Sequence, residues 1–203
     1  MSNPLFFDNF ISDLRVQRAK NLLLEALSEA KNKIHDIKPK DPNRIQSYTE
    51  YLNTFSGFRA NPLYYPYIGS GIGNGALVEL LDGSIKYDLI SGIGPQYLGH
   101  SFEGLVSTAI DSALCDTIMQ GNLQQNLIGV KLSELLCKLS GLDHCFLSSS
   151  GAMAGENSLK ICFQKNYPAN RILAFDHAFA GRTLALSQIT DKPQFRKGLP
   201  ATL

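Results

Sequence analysis

The chain has 203 residues, of which 44% are hydrophobic and 18% charged, and its formal net charge is +1. This composition is typical of a globular protein and excludes a largely disordered or repetitive chain. Because the net charge is small and the basic residues are scattered, we expect neither a nucleic-acid partner nor an anionic membrane surface. The N-terminal residues lack a signal-peptide pattern, and no apolar run could cross a bilayer. We therefore expect a cytoplasmic protein.

The cysteines and histidines form no pattern typical of a metal site. The four cysteines include no C-x-x-C pair, and the four histidines have no ligand spacing with them or with each other. We expect reduced thiols and no bound metal.

The first part of the chain has the apolar spacing of an amphipathic helix from about Leu14 to Ile37. Pro39 and Pro42 follow, and proline cannot continue a helix. We interpret this helix as a structural element with a solvated charged face. The next stretch, through Tyr65, is expected to be mixed and rich in loops.

A glycine-rich segment, 68–76, loosely fits a dinucleotide-binding fingerprint. That fingerprint needs a helix after it. Here two short alternating runs flank Asp82 and Gly83, which predicts a β-hairpin with a tight primed turn. We therefore reject the dinucleotide interpretation and assign the glycines to turns.

The second half of the chain predicts alternating helices and strands. Helices are expected over 105–114 and 130–139, the latter ended by Gly141. The order that follows is a strand at 145–147, a loop at 148–151, a helix at 152–165 and a strand at 171–175. Such a β-α-β unit implies a parallel sheet.

The loop of this unit, with its three serines and Gly151 before the helix, predicts an anion site. The first amides of a helix have no intrahelical partners and carry partial positive charge, and small residues let a phosphate approach them. The alternative is that Ser150 is only an ordinary helix cap.

A second candidate stretch follows the next strand, from Asp176 to Thr183. At this edge of a parallel sheet, Phe179 could cover a flat ring and Arg182 could bind a carboxylate. The alternative is that Phe179 lies in the core and Arg182 pairs on the surface. His177 is assigned a structural role.

Together these stretches resemble the class III aminotransferases, the ornithine, acetylornithine and 4-aminobutyrate transaminases. The likeness runs in order from about Asn61 to the end of the sequence. It is carried by the following segments: Leu81–Asp88, Ser91–Ile93 with Leu98–His100, Ser150–Glu156, Phe179–Thr183 and Pro193–Pro200.

The resemblance implies that pyridoxal 5'-phosphate (PLP) is the cofactor. Ser150, Gly151 and Ala152 would bind its phosphate, Phe179 would stack on its ring, and Arg182 would hold a substrate carboxylate. Two residues depart from the family pattern: Met153 replaces a glutamate, and Ala180 replaces a histidine or tryptophan.

The implied fold is α/β, the PLP-dependent transferase fold type I, in truncated form. Residues 1–60 would be a helical extension, 61–103 the first part of the small domain with its hairpin, and 104–203 the first half of the PLP-binding large domain. The family's Schiff-base lysine lies in the second half of a longer chain, so no catalytic residue is assigned here.

The function implied is transfer of an amino group between an amine-bearing substrate and a 2-oxo acid, in a protein that is a homodimer when complete. A non-catalytic, truncated or split chain that binds phosphate or PLP is the main alternative. A nucleotide-binding β-α-β protein is a third possibility, with Asp176 near the place of a ribose-binding carboxylate.

Overall fold

The computed structural model describes residues 3–116 and 124–200, and the chain divides into two compact units, Met1–Thr117 and Ile118–Leu203. Residues 117–123 and 201–203 of the predicted large domain lie outside the described residues. The predicted domain boundaries remain a prediction.

The first unit opens with two helices, α1 (Phe6–Ser12) and α2 (Leu14–Lys31). Asp13 caps α2, because its carboxylate accepts the amide of Arg15 at 2.8 Å. Farther along the chain, α4 (Glu103–Ala113) packs on α2, and Lys20 donates to Asp111 at 2.6 Å across that contact.

The prediction that the first helix continues to Ile37 was wrong, because the helix ends at Lys31. The chain then turns so that Ile34 is buried with Leu77 and Ile85. Lys38 pairs with Ile85 in an antiparallel bridge. The packing of Ile34 on the sheet therefore overrides the local preference of this segment for helix.

The expectation of a loop-rich stretch through Tyr65 was also wrong, because α3 (Ile45–Arg59) occupies much of it. A short 3-10 helix, Pro42–Arg44, leads into α3, and the carboxylate of Asp41 accepts the amide of Asn43 at 2.9 Å. Pro42 thus stands at a helix start, where its missing N–H costs nothing.

The sheet of the first unit has three antiparallel strands in chain order, β1 (Gly69–Asn74), β2 (Leu77–Leu80) and β3 (Ile85–Tyr87). Of the four glycines assigned to turns, Gly69, Gly71 and Gly73 lie instead in β1, whereas Gly75, at φ +59°, lies in the connection to β2. A β-carbon on Gly73 would lie 2.6 Å from the β-carbon of His100, so this glycine permits a close approach. Strand β2, rather than a helix, follows the glycine-rich segment 68–76, which agrees with the rejection of the dinucleotide-binding interpretation.

The predicted hairpin between β2 and β3 is present, but its turn is not primed. The amide of Gly83 donates to the carbonyl of Leu80 at 2.9 Å, and Gly83 has φ +79°. A type I′ turn requires a positive φ at both central residues, and Asp82 does not have one. The carboxylate of Asp82 instead accepts the amide and hydroxyl of Ser84, which favours a longer loop with a left-handed glycine.

The second unit contains α5 (Leu127–Ser140), α6 (Gly151–Lys165), α7 (Leu186–Ile189) and α8 (Pro193–Arg196). Gly141 ends α5 in the left-handed region at φ +70°, as predicted. The predicted helix after the serine-rich loop is α6, which begins at Gly151.

The strands predicted at 145–147 and 171–175 are not formed within the described part of the chain. A strand requires a hydrogen-bonded neighbour, and no described segment pairs with either stretch. Several of their apolar side chains are exposed: Leu173 is 101% and Phe175 is 86% accessible. The parallel sheet of the predicted β-α-β unit is thus not formed among the described residues. Within the same ranges, no helix is long and apolar enough to span a membrane.

Candidate cofactor-binding site

The N-terminus of α6 presents two unused backbone donors. Ser150 is the capping residue, and its hydroxyl accepts the amide of Met153 at 3.2 Å. Its carbonyl accepts the amide of Ala154 at 3.0 Å. Among the described residues, nothing accepts the amides of Gly151 and Ala152. These two N–H groups, at the positive end of the helix dipole, are therefore available to an anion.

The space around this helix end suits a phosphate. A β-carbon on Gly151 would meet nothing within 4 Å, so a ligand can approach its backbone. The hydroxyl of Ser148, just before the cap, is buried and has no hydrogen-bond partner in the described part of the chain. A buried hydroxyl without a partner is costly, which fits a loop that receives polar ligand atoms.

The loop after residue 175 lies beside the same helix end, and together they line an open cavity of about 600 Å³. The lining residues are Gly151, Ala152, Phe179, Ala180, Gly181, Arg182 and Thr183. Four of the five site residues predicted from the sequence thus meet at one cavity. The fifth, Ser150, is not among the lining residues and acts as the helix cap, the alternative that its sequence position allowed.

The side chains of Phe179 and Arg182 are accessible at this cavity. Phe179 is 63% exposed, and its ring makes an edge contact with Phe195, with centroids 6.4 Å apart. The exposed surface of the Phe179 ring is therefore accessible to a flat ligand. Arg182 is exposed and has no ion-pair partner in the described ranges, so its guanidinium is available to a carboxylate.

Several residues that hold this loop were missed from the sequence. Thr190 is 0% exposed and bonds to the backbone of Ala180 and Gly181. The hydroxyl of Thr183 donates to the carboxylate of Glu156 on α6. Thr190 follows the apolar Ile189 and gives no local signal, because its partners lie nine and ten residues earlier in the chain.

The first unit has its own cavity, of about 460 Å³, which contains none of the predicted site residues. Asp88 and His100 lie on its wall with their side-chain N and O atoms 2.8 Å apart. Burial raises the pKa of the Asp88 carboxyl, but hydrogen bonds from His100 and from the amides of Ile90 and Ser91 bring that pKa below its usual value.

The residues at the α6 cavity fit a flat, phosphorylated ligand and a carboxylate-bearing ligand better than a metal ion. Among the described residues, no group of three His, Cys, Asp or Glu side chains could hold a metal. The described lysines are also absent from the cavity lining.

Comparison with known proteins identifies the family. Residues 68–203 match the family described as aminotransferase class-III. The acetylornithine aminotransferase of Methanocaldococcus jannaschii is 33% identical over 133 residues, which cover 62% of this chain and 33% of that protein. Acetylornithine aminotransferase 1 of Bradyrhizobium diazoefficiens is 33% identical over 136 residues, covering 64% and 33%. The chain thus spans about a third of the length of these curated relatives.

Solved structures share the fold. The ornithine aminotransferase from Toxoplasma gondii, crystallized with partial occupancy of PLP at its active site, superposes with a TM-score of 0.61 at 21% identity, covering 81% of this chain and 42% of that one. A Bacillus anthracis aminotransferase gives a TM-score of 0.66 at 21% identity, covering 77% and 37%. The predicted fold class, part of an α/β PLP-dependent transferase of fold type I, is confirmed. The chain belongs to the class III aminotransferase family.

Proposed function

We propose that this chain carries the phosphate-binding and ring-binding part of a PLP-dependent aminotransferase. The reaction moves an amino group between an amine-bearing substrate and a 2-oxo acid. The amine donor is ornithine-, acetylornithine- or 4-aminobutyrate-like, a class suggested by the names of the relatives. Those relatives are aminotransferases, which favours transamination over a non-catalytic PLP-binding module.

The proposal is supported by one cavity at which two helix amides and a guanidinium, none of them with a partner among the described residues, meet an accessible phenyl ring. The amides of Gly151 and Ala152 bind the cofactor phosphate with help from the α6 dipole. Phe179 covers one face of the pyridine ring and so excludes water from it. Arg182 binds a substrate carboxylate in a forked geometry.

The residue that links covalently to the cofactor lies outside this cavity lining. When bound, PLP supplies an aldehyde and an electron-withdrawing ring for amino-group chemistry, and the protein supplies binding and orientation. A linking amine must lie against the cofactor aldehyde. Neither Lys192 nor Lys197 lines the cavity. We therefore propose that the cavity-lining residues form a part of the active site that lacks the Schiff-base lysine.

The complete protein is proposed to be a cytoplasmic homodimer. Residues 1–60 form an N-terminal extension, 61–103 the start of the small domain and 104–203 the first half of the large domain.

The test is a titration of the purified chain with PLP, followed by absorbance, with pyridoxal as the comparator that lacks the phosphate. We expect saturable binding of PLP and at least about tenfold weaker binding of pyridoxal, because charge-assisted bonds to the phosphate are lost. Equal affinity for the two compounds contradicts the phosphate assignment.

Borohydride reduction and intact mass then test the lysine assignment. We expect no stoichiometric adduct on the chain alone. A single reduced adduct at one lysine contradicts the proposal that the linking lysine lies elsewhere, and peptide mapping identifies the residue.

A further inference from the structure

The loop that carries Phe179 and Arg182 has no regular secondary structure of its own, yet both side chains line the cavity. Its position must therefore be fixed by contacts outside the loop, because loop backbone is otherwise mobile. Besides the bond between Thr183 and Glu156, these contacts include hydrogen bonds to Thr190 and Asp191, which follow the short helix α7.

Thr190 uses the whole hydrogen-bonding capacity of its hydroxyl on this loop. Its Oγ1 accepts the amide of Ala180 at 3.0 Å and the amide of Gly181 at 3.2 Å. The same oxygen donates to the carbonyl of Gly181 at 2.8 Å. A hydroxyl has one donor and two acceptor positions, so all three are satisfied by two consecutive loop residues.

Asp191 extends this contact to the start of the loop. Its carboxylate accepts the amide of His177 at 2.8 Å, and its own amide donates to the carbonyl of Ala178 at 2.8 Å. His177 has φ +62°, a left-handed conformation that needs support in a residue other than glycine.

Thr190 is itself held in place by α7. Its amide donates to the carbonyl of Leu186 at 3.1 Å, and the amide of Ser187 donates to the carbonyl of Thr183 at 2.9 Å. Leu186 is 2% exposed. It lies so close to Gly155 of α6 that a β-carbon on this glycine would be 2.9 Å from its Cδ1. The hydroxyl of Thr190 is therefore fixed relative to α6, which carries the free amides.

We infer that Thr190 is a positioning residue for the cofactor and substrate site: its hydroxyl holds the 179–182 loop against α6 and so sets the affinity of the cavity for PLP. This inference rests on the proposed function. Thr190 lies outside the cavity lining and acts only through the backbone of Ala180 and Gly181.

The test compares Thr190→Val, which keeps the shape and removes the hydroxyl, with Thr190→Ser, which keeps the hydroxyl. Thr49→Val is the matched control, since Thr49 is an exposed threonine on α3 whose hydroxyl donates to the carbonyl of Ile45 at 2.8 Å. Amide hydrogen exchange of Ala180 and Gly181 in the full chain is measured by NMR, and PLP affinity is measured by absorbance titration.

In the wild-type chain we expect both amides to be protected from exchange, whether or not PLP is present. In Thr190→Val we expect roughly a five- to hundredfold loss of that protection and of PLP affinity, the range for a buried group that loses its partner. In Thr190→Ser we expect the protection of the two amides and the PLP affinity to be retained. Thr49→Val should change neither quantity.

Unprotected amides at Ala180 and Gly181 in the wild-type chain overturn the inference even if Thr190→Val does not fold. Wild-type PLP affinity in a folded Thr190→Val also overturns it and leaves the proposed function intact. A wild-type chain with protected amides that does not bind PLP overturns the proposed function, and with it the assigned effect on affinity.

Discussion

Gly181 packs directly against the side chain of Leu186. A β-carbon built on Gly181 would lie 2.7 Å from Cδ1 of Leu186, a distance that real side chains essentially do not reach. Gly181 also has φ +146°, which residues with a β-carbon rarely adopt. This contact joins the loop between Phe179 and Arg182 to the buried leucine that packs on α6.

Gly181→Ala is therefore expected to destabilise the second unit and to displace the site loop. Overpacking and backbone strain together cost roughly 2–4 kcal/mol. The measurement is urea unfolding followed by circular dichroism, alongside PLP titration.

Gly198→Ala is the matched control for the strain alone. Gly198 has φ +79°, and a β-carbon there would meet nothing within 4 Å. We expect a loss of about 1 kcal/mol and unchanged PLP affinity. Equal losses in the two variants would show that the contact with Leu186 has no effect of its own.

The pair of Asp88 and His100 predicts a pH-dependent contribution to the stability of the first unit. Because hydrogen bonds hold the pKa of Asp88 below its usual value, the carboxylate stabilises the folded chain above the unfolded-state pKa of about 4. That stabilisation is lost as the pH falls through the lower pKa of the folded chain.

Asp88→Asn should lower stability at pH 7 by about 1 kcal/mol, since a charge-assisted hydrogen bond is lost. The difference from the wild-type chain should shrink as the pH falls below ~4. Urea unfolding from pH 3 to 7 measures it. Asp36→Asn, at an exposed carboxylate bonded only locally to the amide of Ile37, serves as the control. A constant difference at every pH would refute the assigned cause.

Substitution of Arg182 should weaken the binding of a substrate carboxylate and leave the affinity for PLP unchanged. Arg182→Gln removes the charge, and Arg182→Lys keeps the charge but loses the forked donors. With PLP present, we expect 2-oxoglutarate to bind at least about tenfold more weakly to Arg182→Gln, with an intermediate effect for Arg182→Lys. Calorimetry measures this affinity, and PLP affinity should stay unchanged. A loss of PLP affinity in both variants would instead assign Arg182 to the cofactor.

The parts of the structure that depend on neighbours in the sequence could be predicted. The left-handed Gly141 at the end of α5 and the cap of α6 at Ser150 follow from side chains within a few residues. Because the cap fixes where the helix begins, the place of Gly151 and Ala152 in its first turn could be predicted, whereas their binding of a phosphate stays a prediction. The loop alone left open whether Phe179 lies in the core and Arg182 pairs on the surface, and only the family likeness favoured accessible side chains at these two positions.

Features that depend on distant contacts could not be predicted. Helix α2 ends early because Ile34 packs on β2 and β3, and no local signal in the sequence marks that contact. The apolar run at 172–175 predicts a strand, but a strand also needs a neighbour, and none is present among the described residues. The role of Thr190 depends on backbone groups nine and ten residues away. Polar residues whose backbone partners lie far along the chain leave no motif.

Gly151→Pro tests whether the amides at the start of α6 bind the phosphate of PLP. Proline at the first helical position removes one N–H that the helix does not use, and Ser150 before it is already extended at φ −156° and ψ 160°. Gly151→Ala adds a β-carbon but keeps the N–H, so it controls for bulk in a space that is open.

The measurement is the ratio of PLP to pyridoxal affinity in the wild-type chain and the two variants, with helix content followed by circular dichroism. We predict unchanged helix content in both variants and a ratio that falls about tenfold in Gly151→Pro alone, because the lost donor faces only the phosphate. An unchanged ratio in a folded Gly151→Pro would contradict the account, since the amide of Gly151 would then have no part in binding the phosphate.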